Sequence, residues 1–353
     1  REPLSRIREA EFDYLVLATG ADPVIPPVRG NSVPLRTLND ARTILRELND
    51  GVRRVAVVGG GPLGVETACA LAQRGVRVEL LHRGPHIMSR WLDAESAALL
   101  ADSLSTAGIA VRCQTEVSAA TRVWPHADLV ILACGVRPRV ALARAAGLPV
   151  GRGVLVDGAG RSVGNPRVFA IGDCAEAEGG VTGAFAALED ARRAAVAIAA
   201  EVAEVAEIAE VAEIVAEAGI SKLTQYSSPS PSGGHATLAT IVPTRQPPKE
   251  GPAAQITRSA LRLRTYGVPG ADVAVLGQPL ADATIALTDQ RRRTRKALTL
   301  DGDVPVAAAL VGDVRAAAAV ARAIARPGSP VPGVPVALLT SAAGGGAGGF
   351  DSV

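Results

Sequence analysis

The sequence predicts a doubly wound α/β fold followed by a smaller α+β unit, and a few observations carry that prediction. Apolar runs alternate with helix-spaced segments over residues 12–134. One βαβ unit at 54–83, RVAVVGGGPLGVETACALAQRGVRVELLHR, holds a glycine fingerprint between two apolar runs. Past a low-complexity stretch, apolar runs within 261–276, 295–300 and 306–311 precede an Ala-rich helical segment at 313–325.

Residues 12–20, FDYLVLATG, read as a buried strand ending in a Thr-Gly turn. Pro23, Pro26 and Pro27 mark an extended connection, and 37–48 has helical spacing. The run 55–58 then enters a turn with Gly59, Gly61 and Gly64 at G-x-G-x-x-G spacing. Gly59 permits the tight turn, Gly61 lets backbone approach a pyrophosphate, and Gly64 lets helix pack on strand. Pro62 and Leu63 begin the helix, whose first-turn N–H groups and dipole face the phosphates. A glycine-rich αβ turn without a ligand is the plain alternative. Residues 76–81 close the unit as a second strand. Residues 93–107 read as a helix, 109–112 as a strand, and 128–134 as a buried strand closed by Gly135 and the turn to Pro138.

From Gly153 a short strand, VLVD, leads to VFAIGD at 168–173. A long Ala-rich helix starts near Thr182 and runs into EVAEVAEIAEVAEIVAEAG, with Glu201, Glu204, Glu207, Glu210 and Glu213 at a spacing of three. That period drifts about 60° per repeat against the helical turn, so no fixed apolar stripe forms. The repeat reads as a solvated helix extension, with a coiled-coil partner as the alternative. Residues 227–253 read as a disordered linker and 341–353 as a Gly-rich tail. The basic run Arg291-Arg292-Arg293-Thr294-Arg295-Lys296 reads as a solvated hairpin turn, with docking of an acidic electron-transfer partner as the alternative.

At 353 residues and 48% hydrophobic, the chain has material for more than one core. A net charge of +2 gives no pull toward nucleic acid or anionic membrane, and 3% aromatic residues leave little for base stacking. Cys69, Cys113, Cys134 and Cys174 are scattered, with no C-x-x-C, so they read as buried thiols and predict no metal site. No apolar run reaches the length of a membrane span, and the N-terminus does not look like a signal peptide. A cytoplasmic location is the expectation.

The segments LVLATGADPVIPP and VFAIGDCAE flank the glycine fingerprint in sequence. With them the chain resembles the two-dinucleotide flavoprotein reductases of the pyridine nucleotide–disulfide oxidoreductase superfamily. The resemblance covers residues 4–200 and 255–340. It implies an NAD(P)-binding Rossmann-like domain, a partial FAD-binding domain and a small α+β C-terminal domain. The implied divisions are 1–50 (partial FAD segment and crossover), 51–140 (NAD(P) domain), 141–200 (FAD-domain return), 201–254 (repeat helix and linker), 255–340 (C-terminal domain) and the tail. Asp173 would bond the ribityl or phosphate region of FAD, with Thr19, Gly20 and Gly172 near the flavin; a turn or N-cap aspartate is the alternative.

RTLNDARTIL, LLHRGPHIMSRWLDAESAALL, LACGVRPRVALARAAGL and LTLDGDVPVAAALVGDVRAAA are similar to the flavoprotein portion of assimilatory NAD(P)H nitrite reductases. They are equally similar to nitrate-assimilation electron-transfer subunits. His82 stands where NAD enzymes usually place the acid that bonds the adenosine ribose. Histidine there matches that branch's H-x-M-P-x-x-M-x-R-x-L-D run through His82, Pro85, Met88, Arg90, Leu92 and Asp93; a surface histidine at a strand end is the alternative. Arg83 would attract a 2′-phosphate, so NADH versus NADPH stays open, and the branch favours NADH. Glu66 and Gly135 correspond to positions near the nicotinamide. A surface carboxylate in a first helical turn and a simple strand-ending turn are their alternatives.

Hydride transfer between stacked rings needs position rather than an acid, base or nucleophile, so no catalytic residue and no metal ligand is expected. The expected activity is FAD-dependent NAD(P)H oxidation, with electrons passing through flavin to the metal centre of a nitrite or nitrate reductase component. A rubredoxin- or ferredoxin-type reductase is the alternative. The family's first βαβ unit, with its FAD glycines, has no counterpart in the sequence. That implies an incomplete family member, and a truncated, inactive nucleotide-binding module is the third reading.

Overall fold

A computed structural model describes residues 12–28, 30–117, 127–177, 184–217, 261–263, 265, 267–277, 284–301 and 304–325. The linker at 227–253 and the tail at 341–353 lie outside the described residues.

Two short strands open the described chain, β1 (Leu15–Leu17) and β2 (Ala21–Pro23), and β3 (Ser32–Pro34) follows. Helix α1 (Leu38–Asn49) starts where Thr37 and Asp40 form a capping box, each side chain accepting the other's backbone N–H. Strand β4 (Arg54–Val58) leads through the glycine turn to α2 (Pro62–Gln73), then β5 (Arg77–Leu81). Helix α3 (Ala94–Thr106) begins at Asp93, which accepts the Ser96 N–H at 2.7 Å. Strands β6 (Ile109–Arg112) and β7 (Leu129–Leu132) complete this part.

Five of these strands form one parallel sheet in the order β3-β7-β4-β5-β6. Along β4, Val55 and Val57 join the core with α2 and α3, while Ala56 and Val58 face the other side with Val130 and Leu132. Both faces are covered, which is why the run reads as continuously apolar rather than alternating. The path steps one way from β4 to β6 and then returns to β7 on the far side of β4. The strand order therefore reverses between β4 and β7, the place where doubly wound sheets bind ligands.

Past β7, β8 (Val136–Pro138) pairs antiparallel with β2, so the outgoing and returning connections run side by side. Helix α4 (Ala141–Ala145), β9 (Val154–Val156) and β10 (Val168–Ala170) follow. A 3-10 turn at Gly172–Cys174 leads to β11 (Ala175–Ala177). Strand β1 pairs in parallel with β10, and β9 with β11, around a core of Leu17, Leu148, Val154, Val168 and Cys174. The strand expected over 12–20 shortens to three residues, because among the described residues β10 is the only neighbour of β1. Val16 is accordingly 40% exposed.

Helix α5 (Ala184–Glu217) is continuous into the repeat. The first repeat glutamate is not merely solvated. Glu201 pairs with Arg161, and Tyr14 donates its hydroxyl to it.

The C-terminal strands are β12 (Leu261–Arg262), β13 (Val273–Leu276), β14 (Thr284–Asp289), β15 (Thr294–Asp301) and β16 (Val304–Val311), followed by α6 (Ala317–Ala325). They form an antiparallel sheet in the order β12-β13-β16-β15-β14. Val273, Val275, Ala309 and Val311 share a core with Ala97, Leu100 and Leu104 of α3. Alternate residues Ala274, Leu276, Ala308 and Leu310 pack with Val320 and Ile324 of α6. A period of two thus serves two helices, one on each face.

The structure corrects the basic run. Arg291–Arg293 do lie in a turn, but Arg295 and Lys296 are on β15, each 9% exposed. Arg295 pairs with Asp93 and Glu95, Lys296 with Asp313 at 3.2 Å, and Arg293 donates to Thr106 Oγ1 at 2.7 Å. Arg293 and Arg295 thus bond to α3 and its N-cap, and Lys296 to a carboxylate after β16, so these three cations are engaged within the chain.

Candidate dinucleotide site

The strand ends that carry the expected residues meet at the carboxyl edge of the parallel sheet. Val58 leads into Gly59, Leu81 into His82, and Leu132 into Gly135 through Ala133 and Cys134. Gly59 has φ +119°, and a Cβ there would lie 2.1 Å from the Ala133 carbonyl oxygen. Gly64 is just as confined, since its Cβ would lie 1.7 Å from the Gly59 oxygen. Gly61 differs. A Cβ there meets no atom within 4 Å, although it caps α2 with no side-chain hydrogen bond of its own. Pro62 follows in the first helical turn, where its missing N–H costs nothing. The protein closes around the first and third glycines and leaves the second facing open space. Gly135, φ +92°, is exposed on the same edge, and its carbonyl accepts the Val24 N–H at 2.9 Å.

Leu63 is exposed and Glu66 half-buried on the first turn of α2. Burial, with the Glu66 carboxylate nearby, pushes the Cys69 thiol up to about 12. Cys69 and Cys174 are buried, while Cys113 and Cys134 are only half-buried, against the expectation that all four are. Among the described residues no cluster of His, Cys, Asp and Glu could hold a metal, and no helix is long and apolar enough to cross a membrane.

His82 sits beside the glycine turn rather than pointing away from it. Its Nδ1 accepts the Gly60 N–H at 3.2 Å, and Met88 N–H donates to the Gly60 carbonyl at 2.7 Å. Burial first, then the nearby His86 and Arg83, lowers the His82 pKa. Arg83 is exposed. Gly60, Ile87 and Met88 form this arrangement; Met88 was singled out from the sequence only as part of the His82–Asp93 run, and Gly60 and Ile87 were not. The glycine between the two fingerprint glycines was the available signal.

A second group of candidates lies at the carboxyl edge of β1 and β10. Leu17 pairs with Ala170, and Ile171 N–H donates to the Leu17 carbonyl at 3.0 Å, so the Thr19-Gly20 and Gly172-Asp173 turns lie side by side. Gly20 and Gly172 have φ +70° and +68°, and a Cβ on Gly20 meets nothing within 4 Å. Thr19 Oγ1 donates to the Arg139 carbonyl at 2.7 Å, and Arg139 pairs with Asp22. Asp173 is bonded through Oδ2 by Arg36, a partner the sequence did not reveal. The pair ties the 3-10 turn to the segment between β3 and α1.

A family model described as pyridine nucleotide-disulphide oxidoreductase matches residues 4–201. The chain is 35% identical over 191 residues to an NADH oxidase of Methanocaldococcus jannaschii, covering 50% of this chain and 43% of that protein. It is 32% identical over 205 residues to the assimilatory nitrate reductase electron transfer subunit of Bacillus subtilis, covering 54% of this chain and 26% of that protein. The chain thus spans less than half the length of either relative. In fold it is similar to the covalent putidaredoxin reductase–putidaredoxin complex, with a TM-score of 0.65 and 22% identity over 90% of this chain and 70% of that one. The chain belongs to the pyridine nucleotide-disulphide oxidoreductase family.

Proposed function

We propose that this chain takes NAD(P)H at the edge between β4 and β7 and acts as an FAD-dependent reductase for a metal-containing acceptor of nitrate or nitrite assimilation. The observation that carries the reading is the contrast among three glycines: Gly59 and Gly64 are closed by backbone, and Gly61 is open. Space beside Gly61 that no protein atom fills fits a pyrophosphate drawn up to the start of α2. On this reading Pro62, Leu63 and Gly64 form the phosphate end, Arg83, next to His82, the adenosine end, and Glu66 and Gly135 the nicotinamide end. NADH is the donor, because the His82–Asp93 run follows the nitrite reductase branch.

On the flavin side, Gly20 leaves backbone open, and Asp173 keeps Oδ1 to accept a ligand hydroxyl while Oδ2 stays with Arg36. Bound FAD supplies the step from two-electron donor to one-electron metal acceptor. The chain's own part is position and field, so no side chain is assigned proton chemistry. The acceptor class is supported by the Bacillus subtilis relative, an assimilatory nitrate reductase electron transfer subunit. A ferredoxin- or rubredoxin-type acceptor is the second reading, favoured by the fold likeness to a reductase joined to putidaredoxin.

Gly61→Val tests the carrying observation. The new Cβ meets no protein atom within 4 Å, so thermal stability should hold while NADH binding, read by nicotinamide fluorescence, weakens at least tenfold, about 1.4 kcal/mol. Unchanged affinity would remove the pyrophosphate from that space.

A further inference from the structure

We propose that His82 is a positioning residue whose Nδ1 anchors the glycine turn from behind, rather than a ligand of the adenosine ribose. The inference rests on the dinucleotide reading above and adds the device that shapes the turn.

The middle residue of the turn is gripped on both sides. Gly60 N–H donates to His82 Nδ1 at 3.2 Å, and the Gly60 carbonyl accepts Met88 N–H at 2.7 Å. Packing is as tight as the bonding, since a Cβ on Gly60 would lie 2.9 Å from His82 Cβ, His82 Cγ and Ile87 Cγ2. Met88 holds φ +56°, a left-handed backbone that methionine rarely adopts, and both Met88 and Ile87 are 1% exposed. The histidine backbone is fixed as well. His82 N–H donates to the Arg112 carbonyl at 2.8 Å, and its own carbonyl accepts Thr115 N–H at 2.9 Å.

An Nδ1 that accepts a hydrogen bond must belong to a neutral ring with its hydrogen on Nε2. Nε2 lies 3.5 Å from Ser89 Oγ, among the described residues the one side chain that bonds it, and the nearby His86 and Arg83 disfavour a charged ring. The position that holds a ribose-binding acid in other NAD enzymes has thus been turned to a different task. It fixes the peptide between the two fingerprint glycines and so sets the direction of the backbone N–H groups that face the pyrophosphate.

Leu and Asn have nearly the same shape, and only Asn offers an acceptor where Nδ1 lies. In the full chain, His82→Leu should raise the Kd for NADH about tenfold, with kcat at saturating NADH within about twofold, and His82→Asn should restore most of the affinity. The 2′-deoxyadenosine analogue of NADH should lose the same factor as NADH in His82→Leu. In the nitrogen-15 spectrum, with four histidines to assign, His82 should show the Nε2–H tautomer. Loss confined to NADH, failure of Asn to rescue, or an Nδ1–H tautomer would overturn the proposal. Wild-type protein that binds neither nucleotide would overturn the dinucleotide reading instead, and the tautomer would still decide the anchor.

Discussion

Alanine at Gly59 or Gly64 has nowhere to go: its methyl would meet a carbonyl oxygen at 2.1 or 1.7 Å. Each substitution should cost about 1–3 kcal/mol in denaturant unfolding, and more if the backbone cannot shift. At Gly61 the same change should leave stability unaltered. Equal losses at all three sites would show that the turn is constrained by packing alone. The His82 anchor adds a pH dependence. Its pKa is lowered below the ordinary value of about 6.5, because burial and then His86 and Arg83 disfavour the cation. The neutral ring therefore holds Gly60 at pH 7. That contribution to stability is present above the unfolded value and is lost as pH falls through the lower folded one. NADH affinity should follow the same direction, weakening in wild type as pH falls through the lowered folded value and staying flat in His82→Asn; a flat wild-type profile would contradict the anchor. At this scale the glycine spacing was legible because it is local. The partner of Gly60 was not, because 22 residues separate it from His82 and only the closing of β4 against β5 brings them together.

Elements were legible where both ends carry local chemistry. Thr37 and Asp93 announced α1 and α3, and Thr37→Ala should cost about 1 kcal/mol of stability, read by urea unfolding. Strand β14 went unanticipated: its apolar stretch Ile285–Leu287 is only three residues long, lies between Thr284 and Thr288, and is exposed at the sheet edge. The basic run misled for the opposite reason. A sequence window shows six neighbouring polar positions but not the carboxylates, Asp93 and Glu95 for Arg295 and Asp313 for Lys296, that receive two of them. Arg295 is 11% exposed at its side chain, but its partners Asp93 and Glu95 are 43% and 71% exposed and can return to water. Arg295→Met should therefore change stability by less than about 1 kcal/mol, while Leu298→Ala, in the same strand and fully buried, should cost about 2–5 kcal/mol. A large loss for Arg295→Met would mean that the ion pairs, not the shared apolar core, hold the C-terminal sheet to α3.

Across the whole molecule, two parallel strand systems each turn a carboxyl edge toward a candidate cofactor position. The five-stranded sheet does so at the reversal between β4 and β7, and the β1–β10 pair does so at the Thr19-Gly20 and Gly172-Asp173 turns. The antiparallel β2–β8 pair and the Arg36–Asp173 bridge join the two. The sequence order ATG, glycine fingerprint, GD foretold that arrangement, because parallel pairing of β1 with β10 demands that the chain leave and return around an inserted unit. The bridge was invisible, since Arg36 and Asp173 lie 137 residues apart. Electron transfer between the two edges is the central claim. An anaerobic visible spectrum of the full chain supplied with FAD, before and after NADH and then NADPH, addresses it directly. The account predicts a bound flavin band that NADH bleaches. A protein that binds NADH yet stays colourless, or whose flavin band neither nucleotide bleaches, would contradict it.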